Sequence, residues 1–136
     1  MRPTAIISAC LLGIPCRYDG RSKLASEAER LSRYYHLVPV CPEQLGGLPT
    51  PRLPAEIICG DGIDVLSKKA GITNLHGEEV TSFFLKGAYL SIKIANICNA
   101  NKCFLKSKSP SCGLSPKIGV TAALFLRNNF SVEELD

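Results

Sequence analysis

The chain lacks the features that mark several common classes of protein. It has no run of five or more basic residues, although its net charge is +4, so nothing in it resembles a nucleic-acid-binding tail. No segment is long enough to cross a membrane, and the apolar stretch from Ala5 to Ala9 is too short for the core of a signal peptide. We therefore expect a cytoplasmic protein without a membrane segment. Its mild basicity suits an anionic or polar small ligand as well as RNA.

The seven cysteines lack the spacing of the familiar metal and disulfide motifs. Their number is odd, and the chain is longer than most secreted domains that depend on disulfides, which favours a reducing compartment. The paired knuckles of a structural zinc site are absent, and so is the compact cysteine run of a ferredoxin. The nearest approach to a knuckle, Cys98 with Cys103, is a coincidence because Cys98 lies in the apolar stripe of a predicted helix.

Short apolar segments and helical stripes alternate along the chain. The patterns predict strands over residues 4–8, 37–40, 103–105 and 130–132, and helices over 23–36, about 80–98 and 120–128. Residues 41–56 hold four prolines and two glycines, which predicts an irregular and functional loop. The alternation, with a hydrophobic content of 46%, predicts a single α/β domain over residues 1–136. Helices would flank a mostly parallel sheet in a Rossmann-like, three-layer arrangement.

Three cysteines lie where a ligand would meet such a sheet. Cys10, Cys41 and Cys112 each follow an apolar segment and stand in polar or Pro/Gly-rich loops. Ligands of parallel sheets bind beyond the carboxyl ends of the strands, so we expect the three thiols at one edge. Three thiolates can hold zinc, an iron-sulfur cluster or no metal at all. With a 4Fe-4S cluster, three ligands would leave one iron open for water or substrate, which favours catalysis over electron transfer.

Ordered motifs carry a resemblance to a known family. They read SACLLGIPCRYDG, PVCPEQLGGLPTPRLPAE, GDGIDVLSKKAGITNLHGEEVTSFFLKGA and LKSKSPSCG, and the similarity resumes at VTAALFL. In these motifs the chain resembles the TudS-like thiouracil desulfurase family, a bacterial family once known as a domain of unknown function. The resemblance implies a 4Fe-4S cluster held by Cys10, Cys41 and Cys112, whose open iron binds the sulfur of a thiolated pyrimidine such as 2-thiouracil. Desulfuration would leave a carbonyl without net redox chemistry.

The same resemblance implies roles for individual side chains. The acid/base carboxylate of the family falls on Glu43, and the serine that assists it matches Ser109, with Ser111 as the second choice. Four residues are weaker candidates for contacts with substrate: Arg17, Tyr18, Arg52 and Ser111. The segment from Cys112 to Thr121 is shorter than in relatives, so we expect part of the wall over the cluster to be missing. The substrate therefore stays open.

Each assignment has a plainer alternative. Glu43 is equally a partner for Arg52, and hydroxyls in Ser-Pro turns commonly cap local backbone. Cys16 has either a structural role or a role in supporting the ligand cysteines, and the remaining cysteines are most simply core: Cys59, Cys98 and Cys103. Two other functions stay open, a non-catalytic module that binds zinc or a cluster and an accessory domain for thiolated RNA. The lack of a basic or aromatic stripe disfavours RNA.

Overall fold

A computed structural model describes residues 2–136. The strands are β1 (Thr4–Ser8), β2 (His36–Val40), β3 (Ala55–Ile58), β4 (Gly71–Asn74), β5 (Lys102–Lys106) and β6 (Ser131–Leu135). The helices are α1 (Ala28–Tyr34), α2 (Pro42–Leu45), α3 (Gly62–Leu66), α4 (Thr81–Ile97) and α5 (Val120–Arg127), and a 3-10 helix covers Ala9–Leu12.

The main sheet contains four parallel strands in the order β2, β1, β5, β6. Its two central strands are continuous apolar runs, in which Ile6, Ile7, Cys103 and Leu105 are fully buried. Such runs are expected where helices cover both faces of a sheet. The chain begins at the centre, passes to the β2 edge and returns to β5 on the other side of β1. The loops that follow β1, β2 and β5 therefore leave from one edge.

Helices cover both faces of this sheet, as predicted. On one face, α1 contributes Leu31 to an apolar cluster with Ala5 and Ile7 of β1. On the other face, α4 and α5 contribute Ala95 and Phe125 to a cluster with Ile6. The alternation of neighbouring β1 side chains between the two clusters is the period of two that a strand imposes. The predicted three-layer α/β fold is thereby confirmed.

The predicted helix over residues 23–36 is wrong in its first part. The backbone N–H groups of Lys23 and Ala25 donate to the carbonyl oxygens of Cys10 and Leu11, both at 2.9 Å, instead of to a helical turn. Leu24, which lies within the predicted helix, is 67% exposed. The segment before α1 thus belongs to the loop that carries Cys10.

Residues 55–74 form structure that the sequence patterns did not predict. Strands β3 and β4 pair antiparallel in a separate two-stranded sheet, and together with α3 they pack against α4 and α5. Each strand has four residues, too few for a clear alternation. The prediction of Cys59 as a core residue is also wrong, because the chain leaves β3 there with a φ of 65° and the side chain is exposed.

Helix α2 corrects the prediction of a wholly irregular loop over residues 41–56. Pro42 occupies its first turn, where the missing N–H of proline costs no helical hydrogen bond. The helix crosses α4 at a contact between two glycines, Gly46 and Gly87. A Cβ atom added to Gly87 would overlap the carbonyl group of Pro42. This close approach fixes α2, and with it Glu43, against the longest helix of the fold.

Candidate functional site

The loops that follow β1, β2 and β5 enclose a cavity of about 320 Å³ at the carboxyl edge of the main sheet. Its walls include every site residue predicted from the sequence: Cys10, Arg17, Tyr18, Cys41, Glu43, Arg52, Ser109, Ser111 and Cys112. The chain positions of these residues span about a hundred residues, and the parallel topology brings them to one place.

The thiols of the cavity differ in their readiness to ionise. A hydrogen bond with Cys16 lowers the pKa of Cys10, although burial opposes it. A hydrogen bond with the same Cys16 raises the pKa of Cys41, and burial adds to the effect. Burial raises the pKa of Cys112 to about 12. As metal ligands, Cys41 and Cys112 would have to lose their protons, because the thiolate is the form that binds a metal.

Cys10, Cys41 and Cys112 all line this one cavity. Within residues 2–136, no group of three or more His, Cys, Asp or Glu side chains stands close enough to share one metal ion. In a 4Fe-4S cluster each cysteine binds a different iron atom, so the ligands border a volume. Three thiols around one cavity thus fit the donor set of such a cluster.

The excess of positively charged side chains around the cavity also fits a group that is held by negatively charged thiolates. Its lining includes the cations of Arg17, Arg52, Lys106 and Lys108 and the single carboxylate of Glu43. Burial lowers the pKa of Lys106, and the neighbouring Arg17 lowers it further. Buried negative charge is tolerated where cations and hydrogen bonds compensate it.

Glu43 is held by a hydrogen bond at each carboxylate oxygen. Arg52 Nε donates to Oε1 at 2.9 Å, and Ser111 Oγ donates to Oε2 at 2.9 Å. The side chains of Arg52 and Glu43 are only 6% and 14% exposed, so water screens this ion pair little. The carboxylate therefore has one orientation, with Oε2 on the side of the cysteine loop that contains Ser111.

The two serines of the SKSPSCG motif have different partners. Ser111 touches Glu43 directly, and it is buried. Ser109 Oγ lies 3.0 Å from Ser111 Oγ and accepts the backbone N–H groups of Ser111 and Cys112 at 3.2 and 3.1 Å. Ser109 thus shapes the turn that presents Cys112 and reaches Glu43 only through Ser111.

Tyr18 and Arg17 stand at the mouth of the cavity. Tyr18 is 41% exposed, and its backbone carbonyl accepts the N–H of Arg52 at 2.7 Å. Arg17 is half-buried, and its backbone N–H is bonded to the carbonyl of Arg21 at 3.1 Å. Both side chains are placed to meet a molecule that enters from solvent.

Sequence reasoning did not assign Ser8 and Lys106 to the site. Each is the last residue of its strand, β1 or β5, so the rule that located the cysteines applies to them as well. Ser8 Oγ accepts the N–H of Lys106 at 2.9 Å. Burial raises the pKa of Cys112, and the Ser8 hydroxyl opposes this by lowering it. Cys16, which was given a structural role, lines the cavity between Cys10 and Cys41.

Fold and site together define a class: an α/β protein with a thiol-lined cavity at the carboxyl edge of a parallel sheet and a hydrogen-bonded carboxylate beside the thiols. The chain matches the 2-thiouracil desulfurase family over residues 5–134 and belongs to that family. The resemblance that the motifs predicted is confirmed. None of the helices within residues 2–136 combines the length and the apolar character needed to span a membrane.

Two relatives cover nearly the whole chain. The uncharacterized protein YbbK of Bacillus subtilis (strain 168) is 41% identical in an alignment 139 positions long, which covers 93% of this chain and 92% of YbbK. Among solved structures, the 4Fe-4S-dependent thiouracil desulfidase TudS superimposes with a TM-score of 0.82 at 34% identity. That match covers 98% of this chain and 91% of TudS.

Proposed function

We propose that this chain is a 4Fe-4S-dependent desulfurase that acts on a thiolated pyrimidine such as 2-thiouracil. The observation that carries the proposal is the single cavity that holds three cysteine thiols and an oriented carboxylate, in a member of the 2-thiouracil desulfurase family. The overall reaction is a hydrolysis. Water replaces the thione sulfur, the ring keeps a carbonyl, and sulfide leaves with the two protons of the water, so no oxidant or reductant is consumed.

Cys10, Cys41 and Cys112 would hold the cluster. When bound, the cluster supplies a soft Lewis acid that accepts a thione sulfur and makes the attached carbon electrophilic. The three cysteines leave one iron without a protein ligand, which this chemistry requires. A structural zinc site would instead be expected to show paired cysteine knuckles and four protein ligands, and the spacing of these cysteines lacks such pairs.

Glu43 is the proposed acid/base residue. Its carboxylate accepts a proton from the attacking water and returns one to the sulfur or to a ring nitrogen. Arg52 and Ser111 occupy one side of each oxygen and leave the remaining lone pairs for water or substrate. Ser109, which contacts Ser111, is proposed to orient the water or the heterocycle through the same hydrogen-bonded chain.

Arg17 and Tyr18 are proposed contacts for the substrate at the entrance. A guanidinium donates to carbonyl oxygens, and a phenol ring packs against a planar heterocycle. Glu43, Cys10 and Cys112 are less exposed than Tyr18, at 14%, 7% and 4% against 41%.

The test is made on protein prepared without oxygen. Iron and inorganic sulfide should be found in equal amounts, near four of each per chain. Incubation with 2-thiouracil should then release sulfide and uracil in a one-to-one ratio. Zinc without iron would contradict the proposal and support a structural module. A full cluster that leaves 2-thiouracil intact would contradict this substrate, and other thiolated pyrimidines would then be compared.

A further inference from the structure

Arg52 is almost fully committed to bonds within the protein. Nε donates to Glu43 Oε1 at 2.9 Å, Nη1 donates to Pro49 O and Thr50 Oγ1, each at 3.1 Å, and Nη2 donates to Cys16 O at 3.0 Å. A guanidinium has five N–H groups, so one remains. A residue whose main task was to bind substrate would keep its donors for the ligand.

Arg52 joins the loops of Cys10 and Cys41 directly, and through Glu43 it is linked to the loop of Cys112. Cys16 belongs to the loop of Cys10, and the Cys41 thiol contacts the same Cys16 carbonyl at 3.6 Å. Glu43 follows Cys41 by two residues, and Ser111 precedes Cys112. One chain of hydrogen bonds therefore runs from the Cys16 carbonyl through Arg52 and Glu43 to Ser111.

We propose that Arg52 is a positioning residue: it sets the orientation of Glu43 and ties the Cys10 loop to it, and it does not itself bind the pyrimidine. This inference rests on the proposed function. The planar fork of arginine reaches several acceptors in fixed directions, whereas the ammonium of lysine is a single point of charge. The charge alone is therefore insufficient, and Arg52→Lys should fail to restore the wild-type arrangement.

The first test separates turnover from binding. Arg52→Gln should lower kcat on 2-thiouracil by about 10- to 100-fold, and Arg52→Lys by about 10-fold, with KM within about threefold of wild type. Arg30→Gln is the matched control, because Arg30 is exposed on α1 and lies outside the cavity. A large rise in KM with an unchanged kcat would show that Arg52 binds substrate and would overturn the inference.

The second test asks whether Arg52 acts through Glu43. In an Arg52→Gln/Glu43→Gln double variant, kcat should be only slightly lower than in the Glu43→Gln single variant. Full additivity of the two losses would overturn the inference, because it would mean that the two residues act independently. A role in general folding would also produce an additive loss.

The third readout does not depend on activity. The rate at which a chelator removes iron from the reconstituted protein should rise in Arg52→Gln, because the Cys10 loop loses its tie to Glu43. An unchanged rate would contradict that tie. If the wild-type protein binds iron but shows no activity, only the proposed function is refuted, and the iron-release rates still test the positioning role of Arg52. A wild type without iron refutes both.

Discussion

Two proline-containing segments of this chain are used in opposite ways. Residues 41–54 turn their charged groups inward, so that Glu43 and Arg52 meet in the cavity. Residues 113–119, which follow the third cysteine, turn their polar groups away from it. The backbone N–H groups of Leu114 and Ser115 donate to Glu134 of β6 at 2.9 and 3.1 Å, and Ser115 Oγ does so at 3.1 Å. None of residues 113–119 is among the cavity-lining residues of the described chain.

This difference separates a segment for which we propose a role in chemistry from one that supports the fold. The carboxylate in the first segment is nearly buried and has a charged partner. Glu134 lies at the edge strand: burial raises its pKa, but the donors of Leu114 and Ser115 outweigh burial, so its pKa lies below the ordinary value. Changes in residues 41–54 should therefore alter turnover, and changes around Glu134 should alter stability.

Loss of a cysteine ligand should have the largest effect, whether the cysteine adjoins the first or the second of these two segments. Cys41→Ala at the start of the first segment and Cys112→Ala just before the second should each abolish cluster binding and activity. Iron analysis and the visible absorption spectrum of anaerobically reconstituted protein measure this. Cys59→Ser is the matched control, because Cys59 is exposed and outside the cavity. A full complement of iron in either alanine variant would contradict the assigned ligands.

Glu43→Gln should have the next largest effect. The amide keeps the shape of the side chain but cannot accept a proton from water, so kcat should fall by about 10²- to 10⁴-fold. The iron content should remain that of the wild type, because Glu43 is not a proposed ligand. Steady-state kinetics on 2-thiouracil together with iron analysis measures both. A variant that loses activity only in proportion to lost iron would refute the acid/base role.

The two serines should differ in a smaller but measurable way. Ser111→Ala removes the donor to Glu43 Oε2, and hydrogen bonds to charged groups contribute about 1.5–3 kcal/mol, so kcat should fall by about 10- to 100-fold. Ser109→Ala removes the acceptor for two backbone N–H groups of the cysteine turn, and it should speed iron loss more than it slows turnover. Equal losses of kcat in both variants, with equal iron retention, would contradict this division.

The sequence was sufficient to locate the candidate site residues whose place follows directly from their position after a parallel strand. Strand β1 ends at Ser8 in the prediction and in the structure, and the cysteines beyond β1, β2 and β5 meet at one edge because the strands are parallel. Glu43 was identified through the motif around Cys41. These features depend on local patterns and on one topological rule.

Other features depend on tertiary contacts that no local pattern contains. Helix α2 forms within a proline-rich segment because Gly46 and Gly87 allow it to approach α4 closely. The conformation of one turn decides whether Ser109 or Ser111 contacts Glu43. The two serines are only two positions apart, and the sequence does not indicate which of them makes the contact. The four-residue strands β3 and β4 were missed because each buries a single large side chain, Ile57 or Ile72.

Glu134→Ala should give the smallest of these effects, and it should affect stability alone. Removal of the carboxylate leaves the N–H groups of Leu114 and Ser115 without their acceptor, which should lower the free energy of unfolding by about 1 kcal/mol at this partly exposed site. Because the pKa of Glu134 is lowered by folding, its contribution is present above the ordinary glutamate pKa of about 4.3 and fades as the pH falls through the lower, folded value. Urea unfolding at neutral and acidic pH should therefore show a difference from wild type that shrinks in acid.

The control for this change is Glu133→Ala, which removes only a solvent-exposed ion pair with Lys102 at 3.3 Å and should leave stability almost unchanged. The kcat of Glu134→Ala should equal that of the wild type, since residues 113–119 do not border the cavity in the described structure. A fall in kcat comparable to that of Ser111→Ala would mean that the segment after Cys112 reaches the substrate after all. The separation between a catalytic and a structural segment would then have to be given up.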